Sequence, residues 1–216
     1  MSAVIAAEGL TRRFRRGREI VTAVDDVSFE LLAGTMMALV GPSGSGKTTL
    51  INLLVGGDEP DEGRIVGLPE RPAWGDLALV PQALGLLPEL TLGENVDLPR
   101  RLGASDTQPA FAVMETLGVA ELFDRAPNEV SLGEQQRAAV ARALVTAPTL
   151  LVADEPTSHQ DGANTQRVID ALVTAAARGS CVLVATHDQR VVDACDRRFR
   201  MHDGAITAES VPDSSR

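Results

Sequence analysis

Positive charge is what this sequence has too little of to grip a phosphate backbone. Its 216 residues carry 20 Lys and Arg against 30 Asp and Glu, which leaves a net charge of −10 and a pI near 4.8. A nucleic-acid partner is therefore not expected. The one local exception, Arg12-Arg13-Phe14-Arg15-Arg16-Gly17-Arg18, reads as a solvated β-edge that resists aggregation. Cysteine is equally scarce: Cys181 and Cys195 form no CxxC pair and no metal-ligand spacing, and they read as small buried hydrophobes of a reducing compartment. No window reaches the ~18 uninterrupted apolar residues of a membrane span. The stretch from Met1 to Glu8 lacks the charged lead and apolar core of an export signal. The setting these absences predict is soluble and cytosolic, with any membrane role exercised through a partner.

What is present is a core, since 44% of the residues are hydrophobic, enough for one domain with a subdomain inserted. Within it stands Gly41-Pro42-Ser43-Gly44-Ser45-Gly46-Lys47-Thr48-Thr49. Two glycines separated by four residues and followed by Lys-Thr make the phosphate-binding loop pattern. The apolar stretch Thr35 to Val40 before it has strand character, and Leu50 to Val55 after it reads as a buried helix. Glycines let consecutive N–H groups curl inward as an anion nest, and the helix starting near Lys47 adds its positive end. A polyphosphate is the natural guest: Lys47 reaches its terminal groups, and the Thr48 hydroxyl is placed to ligate Mg²⁺.

Taken in order, the chain predicts an α/β fold. Val24 to Leu31 alternates apolar and polar residues as a half-buried antiparallel strand does, so a small β-layer precedes the phosphate loop. Arg64 to Val66 is a short strand, Gly67 to Gly75 a loop with the single Trp74, and Leu77 to Val80 a buried strand ending at Pro81-Gln82. Residues 83–145 show no convincing strand but several helical windows, including Gln108 to Leu117 and Leu132 to Val145. The core resumes at Thr149 to Ala153, continues through a helix over Ala163 to Ala177 and an apolar strand Cys181 to Ala185, and closes with an Asp203-Gly204 hairpin. Buried strands separated by helices imply a parallel sheet. The expected layout is a RecA-like, mainly parallel core with its antiparallel layer over 1–82 and 146–208, a helical insertion over 83–145, and a tail over 209–216.

Parallel sheets bind ligands beyond the carboxyl ends of their strands. Gln82, Asp154 with Glu155, and His187 all follow such ends, and the phosphate loop follows another. An Asp closing an apolar strand commonly orders a Mg²⁺ shell, and a carboxylate one residue on can polarise water for in-line attack on a γ-phosphate. An imidazole at His187 can donate a hydrogen bond to the transferred group.

These pieces together resemble the ATP-binding subunit of ATP-binding-cassette (ABC) transporters, over nearly the whole chain from Val4 to Thr207. The matches are the phosphate loop, Gln82 in the Q-loop place, Val130-Ser131-Leu132-Gly133-Glu134-Gln135-Gln136-Arg137 in the signature place, the Walker B run Leu150 to Glu155, Asp161 ending the D-loop, and His187 in the H-loop place. The resemblance implies two subunits paired head to tail, each ATP lying between the phosphate loop of one and the signature of the other. Ser131, the Gly133 backbone and Asp161 then belong with the ATP-binding residues. Glu155 becomes the catalytic base, Asp154 the Mg²⁺ organiser beside Thr48, and Gln82 the sensor joining the metal to the helical insertion. Phe14 stands where family members stack an aromatic ring, often Tyr, on adenine; this chain has no Tyr, and core packing is the other reading of Phe14.

Two departures from the family stand out. Leu132 replaces the first signature glycine and Val130 a leucine, so a β-carbon beside the γ-phosphate is expected to restrict the backbone or crowd the site and slow hydrolysis. Gln160 stands in the D-loop where Leu is usual, and the neighbouring His159 reads as a surface residue. The segment between Gly67 and Leu77 is shorter than is common. Pro88 to Val96 and the compact length resemble the lone subunits of the lipoprotein-release and macrolide-export group. The implied protein is a homodimeric or paired ATPase on the cytoplasmic face of the membrane, driving a separately encoded permease that docks on a helical segment expected around Leu84 to Arg101. The alternative is a signalling ATPase that works a membrane partner without transport. A soluble ribosome or DNA-repair relative would need two cassettes or a coiled-coil insertion, and a plain kinase would leave the signature place and His187 unexplained.

Overall fold

The computed structural model describes residues 3–67, 75–104 and 107–210. The loop containing Trp74, including most of the Gly67 to Gly75 stretch, lies outside the described residues, as do 211–216.

Two sheets form the scaffold. The first is antiparallel: β1 (Ala3–Arg16) lies between β2 (Glu19–Leu32) and β4 (Glu62–Val66). The second has six strands in the order β5 (Leu77–Val80), β6 (Leu150–Asp154), β7 (Cys181–Ala185), β3 (Met36–Val40), β8 (Arg197–His202), β9 (Ala205–Ser210). All neighbours in it are parallel except β8 and β9, which form the antiparallel hairpin the Asp-Gly pair predicts. β9 reaches Ser210, two residues into the expected tail.

Side-chain alternation along the central strands explains why they read as unbroken apolar runs. Met36 and Ala38 of β3, Leu151 and Ala153 of β6, and Val182 and Val184 of β7 enter one core; Met37 and Leu39, Leu150 and Val152, Cys181 and Leu183 enter the other. Both faces are therefore covered. On one side α1 (Lys47–Leu54) fills the space beneath the antiparallel sheet, packing Leu50, Ile51, Leu53 and Leu54 with Ile5, Leu10 and Phe29. The other side holds α2 (Leu92–Arg101), α3 (Ala110–Thr116), α4 (Leu132–Leu144), α5 (Gly162–Ala177) and the short α6 (Gln189–Asp193). Between Gln82 and Val145 the described residues contain helices and turns only, as expected.

Two expectations need correction. The basic run is not an edge strand: β1 is the middle strand of its sheet, and Arg12 bonds Asp58 at 2.8 Å and Asp61 at 3.1 Å while Arg13 bonds Glu62 at 2.7 Å. Only its end, where β1 pairs with β2 alone and Arg15, Arg16 and Arg18 are exposed, has edge character. The segment from Leu84 is also not helical until Leu92, because Thr91 caps α2 in a capping box with Glu94. Ahead of that cap the chain folds around Asn95, which is fully buried. Its Oδ1 accepts from Leu87 N at 2.7 Å, and its Nδ2 faces the carbonyls of Leu87, Leu90 and Thr91 at 3.0, 3.2 and 2.9 Å.

Candidate functional site

The carboxyl ends of β3, β5, β6 and β7 open into one cleft of about 1120 Å³. The phosphate loop forms its floor. Gly46, the residue before α1, has φ 107°, and a Cβ there would lie 2.1 Å from the Ala23 carbonyl oxygen. At Gly41 a Cβ would lie 2.2 Å from the Met201 carbonyl oxygen. The loop is thus wedged between β2 and β8, which no side chain larger than hydrogen permits. The β8–β9 turn holds it from the same side: Gly204 N donates to Ser45 O at 3.1 Å, while Asp25 N donates to Gly204 O at 3.0 Å. Lys47 crosses the loop, its Nζ donating to the carbonyls of Gly41 and Pro42 at 2.8 and 3.0 Å.

The acidic wall comes from the end of β6. Asp154 is buried, and that burial pushes its carboxyl above the usual carboxylate range, helped by the charge of Glu155 and opposed by a hydrogen bond from Thr48. That bond, Thr48 Oγ1 to Asp154 Oδ2, is 3.2 Å. Glu155 has φ 51°, a left-handed conformation, and its N–H still reaches Ala185 O at 2.8 Å in the adjoining strand. The turn aims its carboxylate across the end of β7. Thr186 Oγ1 donates to Glu155 Oε2 at 3.2 Å, and His187 Nδ1 lies 2.8 Å from Oε1. The hydrogen bond and charge of Glu155 raise the His187 imidazole above its ordinary value. Gln136 supports the same turn from α4, donating to Glu155 O at 2.7 Å.

The predicted residues separate into two groups. Gly41, Pro42, Ser43, Gly44, Gly46, Lys47, Thr48, Thr49, Gln82, Asp154, Glu155 and His187 line the cleft, and Ser45 is buried within the loop. Phe14 lines it too; it belongs to neither core, and the Arg12 guanidinium lies 4.9 Å from its ring centroid, so the core-packing reading falls. Ser131, Gly133 and Asp161 are not among the lining residues. Ser131 caps α4, accepting from Glu134 N at 3.3 Å and donating to Glu134 Oε2 at 2.7 Å. Gly133 is buried against the loop after β6, and Asp161 caps α5, accepting from Asn164 N at 2.9 Å.

Leu132 corrects one expectation: it is the first residue of α4 and is not among the left-handed residues, so its β-carbon imposes no backbone strain. Its side chain is 46% exposed, leaving crowding as the only way it can act. Sequence reasoning missed Arg16, Thr22, Ser158 and His159, which also line the cleft, and Thr186, which anchors Glu155. The hydroxyl directly before His187 was the available signal for the last.

A Mg²⁺ ion suits the donors present. Thr48, Asp154 and Gln82 offer oxygen atoms, the ligands this hard cation prefers.

A phosphate cradle facing a carboxylate held by a hydroxyl and an imidazole is equipment for hydrolysing a nucleoside triphosphate. Comparison with known proteins agrees: residues 24–158 match the ABC transporter family, and the chain belongs to that family as an ATP-hydrolysing cassette. Among curated relatives, the lipoprotein-releasing system ATP-binding protein LolD of Gluconobacter oxydans is 35% identical over 222 residues, covering 95% of this chain and 96% of the relative. Among solved structures, a dimeric post-hydrolysis state of the ATP-binding cassette MJ0796, bound to ADP and Pi, superposes with a TM-score of 0.85 at 29% identity, covering 95% of this chain and 98% of that one. A second dimeric structure of MJ0796, a bacterial ABC transporter cassette, gives a TM-score of 0.83 at 30% identity, with the same shares covered.

Proposed function

We propose that two copies of this chain close head to tail around two MgATP and drive a separately encoded membrane permease. One observation carries the reading: Ser131 and Gly133, at the N-terminus of a 13-residue helix, lie outside the cleft that holds the phosphate loop and Glu155. A helix N-terminus that attracts anions but does not line its own chain's cleft has a use if a second copy brings a phosphate to it. The dimers described for MJ0796 support that arrangement.

Each residue then has a chemical task. Phe14 stacks on the base, the loop amides and Lys47 hold the polyphosphate, and Thr48, Asp154 and Gln82 hold Mg²⁺. The ion would neutralise charge developing on the phosphate oxygens. Glu155, kept in place by Thr186 and His187, takes a proton from the attacking water, and His187 can then offer its own proton toward the transferred group. Ser131, Gly133 and Asp161 complete the site from the second copy. The segment from Leu84 to Arg101, which follows Gln82 directly, receives the permease. The likeness to LolD supports membership of the lipoprotein-release group, and with it a position on the cytoplasmic face of the membrane through the permease. Among the described residues no helix is long and apolar enough to cross a membrane itself.

The test is recovery of partners on tagged Glu155→Gln protein from detergent-solubilised native membranes with MgATP present. Removing the base while keeping the cradle traps the closed pair, and a multi-span protein should co-purify. Return of soluble protein alone, still dimerising with ATP, would end the membrane role.

A further inference from the structure

The loop leaving β6 is fastened to α4 by side chains that phosphate chemistry does not require. Gln136 is buried and donates from Nε2 to Glu155 O at 2.7 Å and to Ser158 Oγ at 2.9 Å. Gln160 closes the far end of the same loop: its Nε2 donates to Gly133 O at 2.8 Å, and its Oε1 accepts from Arg137 Nη1 at 2.7 Å. Gly133 seats directly on the loop, where a Cβ would stand 2.7 Å from the His159 carbonyl oxygen. Arg137 is itself buried and its Nε has no partner, so the acceptor supplied by Gln160 matters to a guanidinium already short of one. Between the two glutamines, Glu155 and His159 hold left-handed backbone angles, φ 51° and 62°. L-residues keep such angles only where their surroundings impose them. An apolar side chain at 160 could make neither bond.

We propose that Gln160 is a positioning residue that locks the turn at Gly133 to the loop carrying Glu155, so that one rigid unit serves two nucleotides. Through Glu155 it serves the nucleotide of its own chain, and through Ser131 and Gly133 that of the second copy. The inference rests on the paired reading above. It makes the two sites interdependent: release of the brace in one copy moves the signature turn away from the other copy's phosphate.

The experiment compares Glu155→Gln protein with the same protein carrying Gln160→Met or Gln160→Glu. Methionine keeps the length and makes neither bond; glutamate keeps the acceptor for Arg137 and cannot donate to Gly133. Single-chain ATP affinity, measured without Mg²⁺, should stay within about twofold, because residue 160 does not line the cleft. The ATP concentration for half-maximal dimerisation in Mg²⁺, followed by size exclusion with light scattering, should rise about tenfold for Met and about threefold for Glu, the scale of a lost bond that orphans its partners. In protein retaining Glu155, Gln160→Met should also lower the Hill coefficient for ATP hydrolysis. Dimerisation of either variant at the parent's ATP concentration overturns the inference alone, and Gln160→Glu decides if Gln160→Met does not fold. A Glu155→Gln parent that stays monomeric in MgATP overturns the paired reading and the inference with it.

Discussion

Replacing Asn95 with Ala should cost this protein more than any other single polar truncation around the turn at residues 87–91. Asn95 is fully buried, accepts from Leu87 N, and presents its amide group to three carbonyls. An amide has only two N–H donors, so at most two of those carbonyls are fully served at once, making three good bonds in all. At about 1 kcal/mol each, the loss of three bonds sums to about 3 kcal/mol. For a chain of this size that is a fall in Tm of about 6–12 °C. Asn95→Asp sharpens the test: it keeps the acceptor for Leu87 but points a second oxygen at three carbonyls, so it should be at least as unstable near neutral pH and recover partly in acid, where the carboxyl can donate. Differential scanning calorimetry reads both, and ATP binding should persist, since residue 95 does not line the nucleotide cleft. A Tm within about 2 °C of the parent for Asn95→Ala would refute the hydrogen-bond reasoning.

Leu132→Gly should speed ATP hydrolysis if, in the proposed pairing, its isobutyl group crowds the second copy's phosphate, while weakening α4 by at most about 1 kcal/mol at its first position; an unchanged rate refutes the crowding argument. Asp154→Asn should abolish hydrolysis yet leave the fold at least as stable at pH 7.5. The reason is one of sign: burial raises the folded-state pKa of Asp154 above its unfolded value, so stability falls as pH rises through that folded value, and an uncharged amide escapes the loss. A thermal midpoint below the parent's at pH 7.5 would count against that desolvation argument, and the two midpoints should converge in acid.

The site was legible where its chemistry is written in consecutive residues. Gly41 to Thr49 needs a strand, a turn and a helix in that order, and the parallel strands Met36–Val40, Leu150–Asp154 and Cys181–Ala185 show as apolar runs because both faces are buried. Glu155 and His187 could be named from their positions after those strands. That they touch could not, because their meeting depends on the β6–β7 register and on a left-handed turn at Glu155. The pairing of Arg12 with Asp58 and Asp61 was hidden for the same reason, and a run that looked like an unpaired edge turned out to be tied across the sheet. Nothing in the sequence marks Asn95, Gln136 or Gln160 as residues that brace a turn. Only the fold shows which buried carbonyls they answer. The late start of α2 is a different kind of miss, since Thr91 and Glu94 spell a capping box in the sequence itself.

The phosphate loop is held from outside by the Asp203-Gly204 turn and by β8, whose Met201 carbonyl lies against Gly41. On the ribosome these partners emerge long after the loop they support, since chains fold as they are made from the N-terminal end. A partly synthesised chain therefore carries every residue of the nucleotide motif without the walls that shape it, and the capacity to grip ATP marks a chain that has been made through its final hairpin.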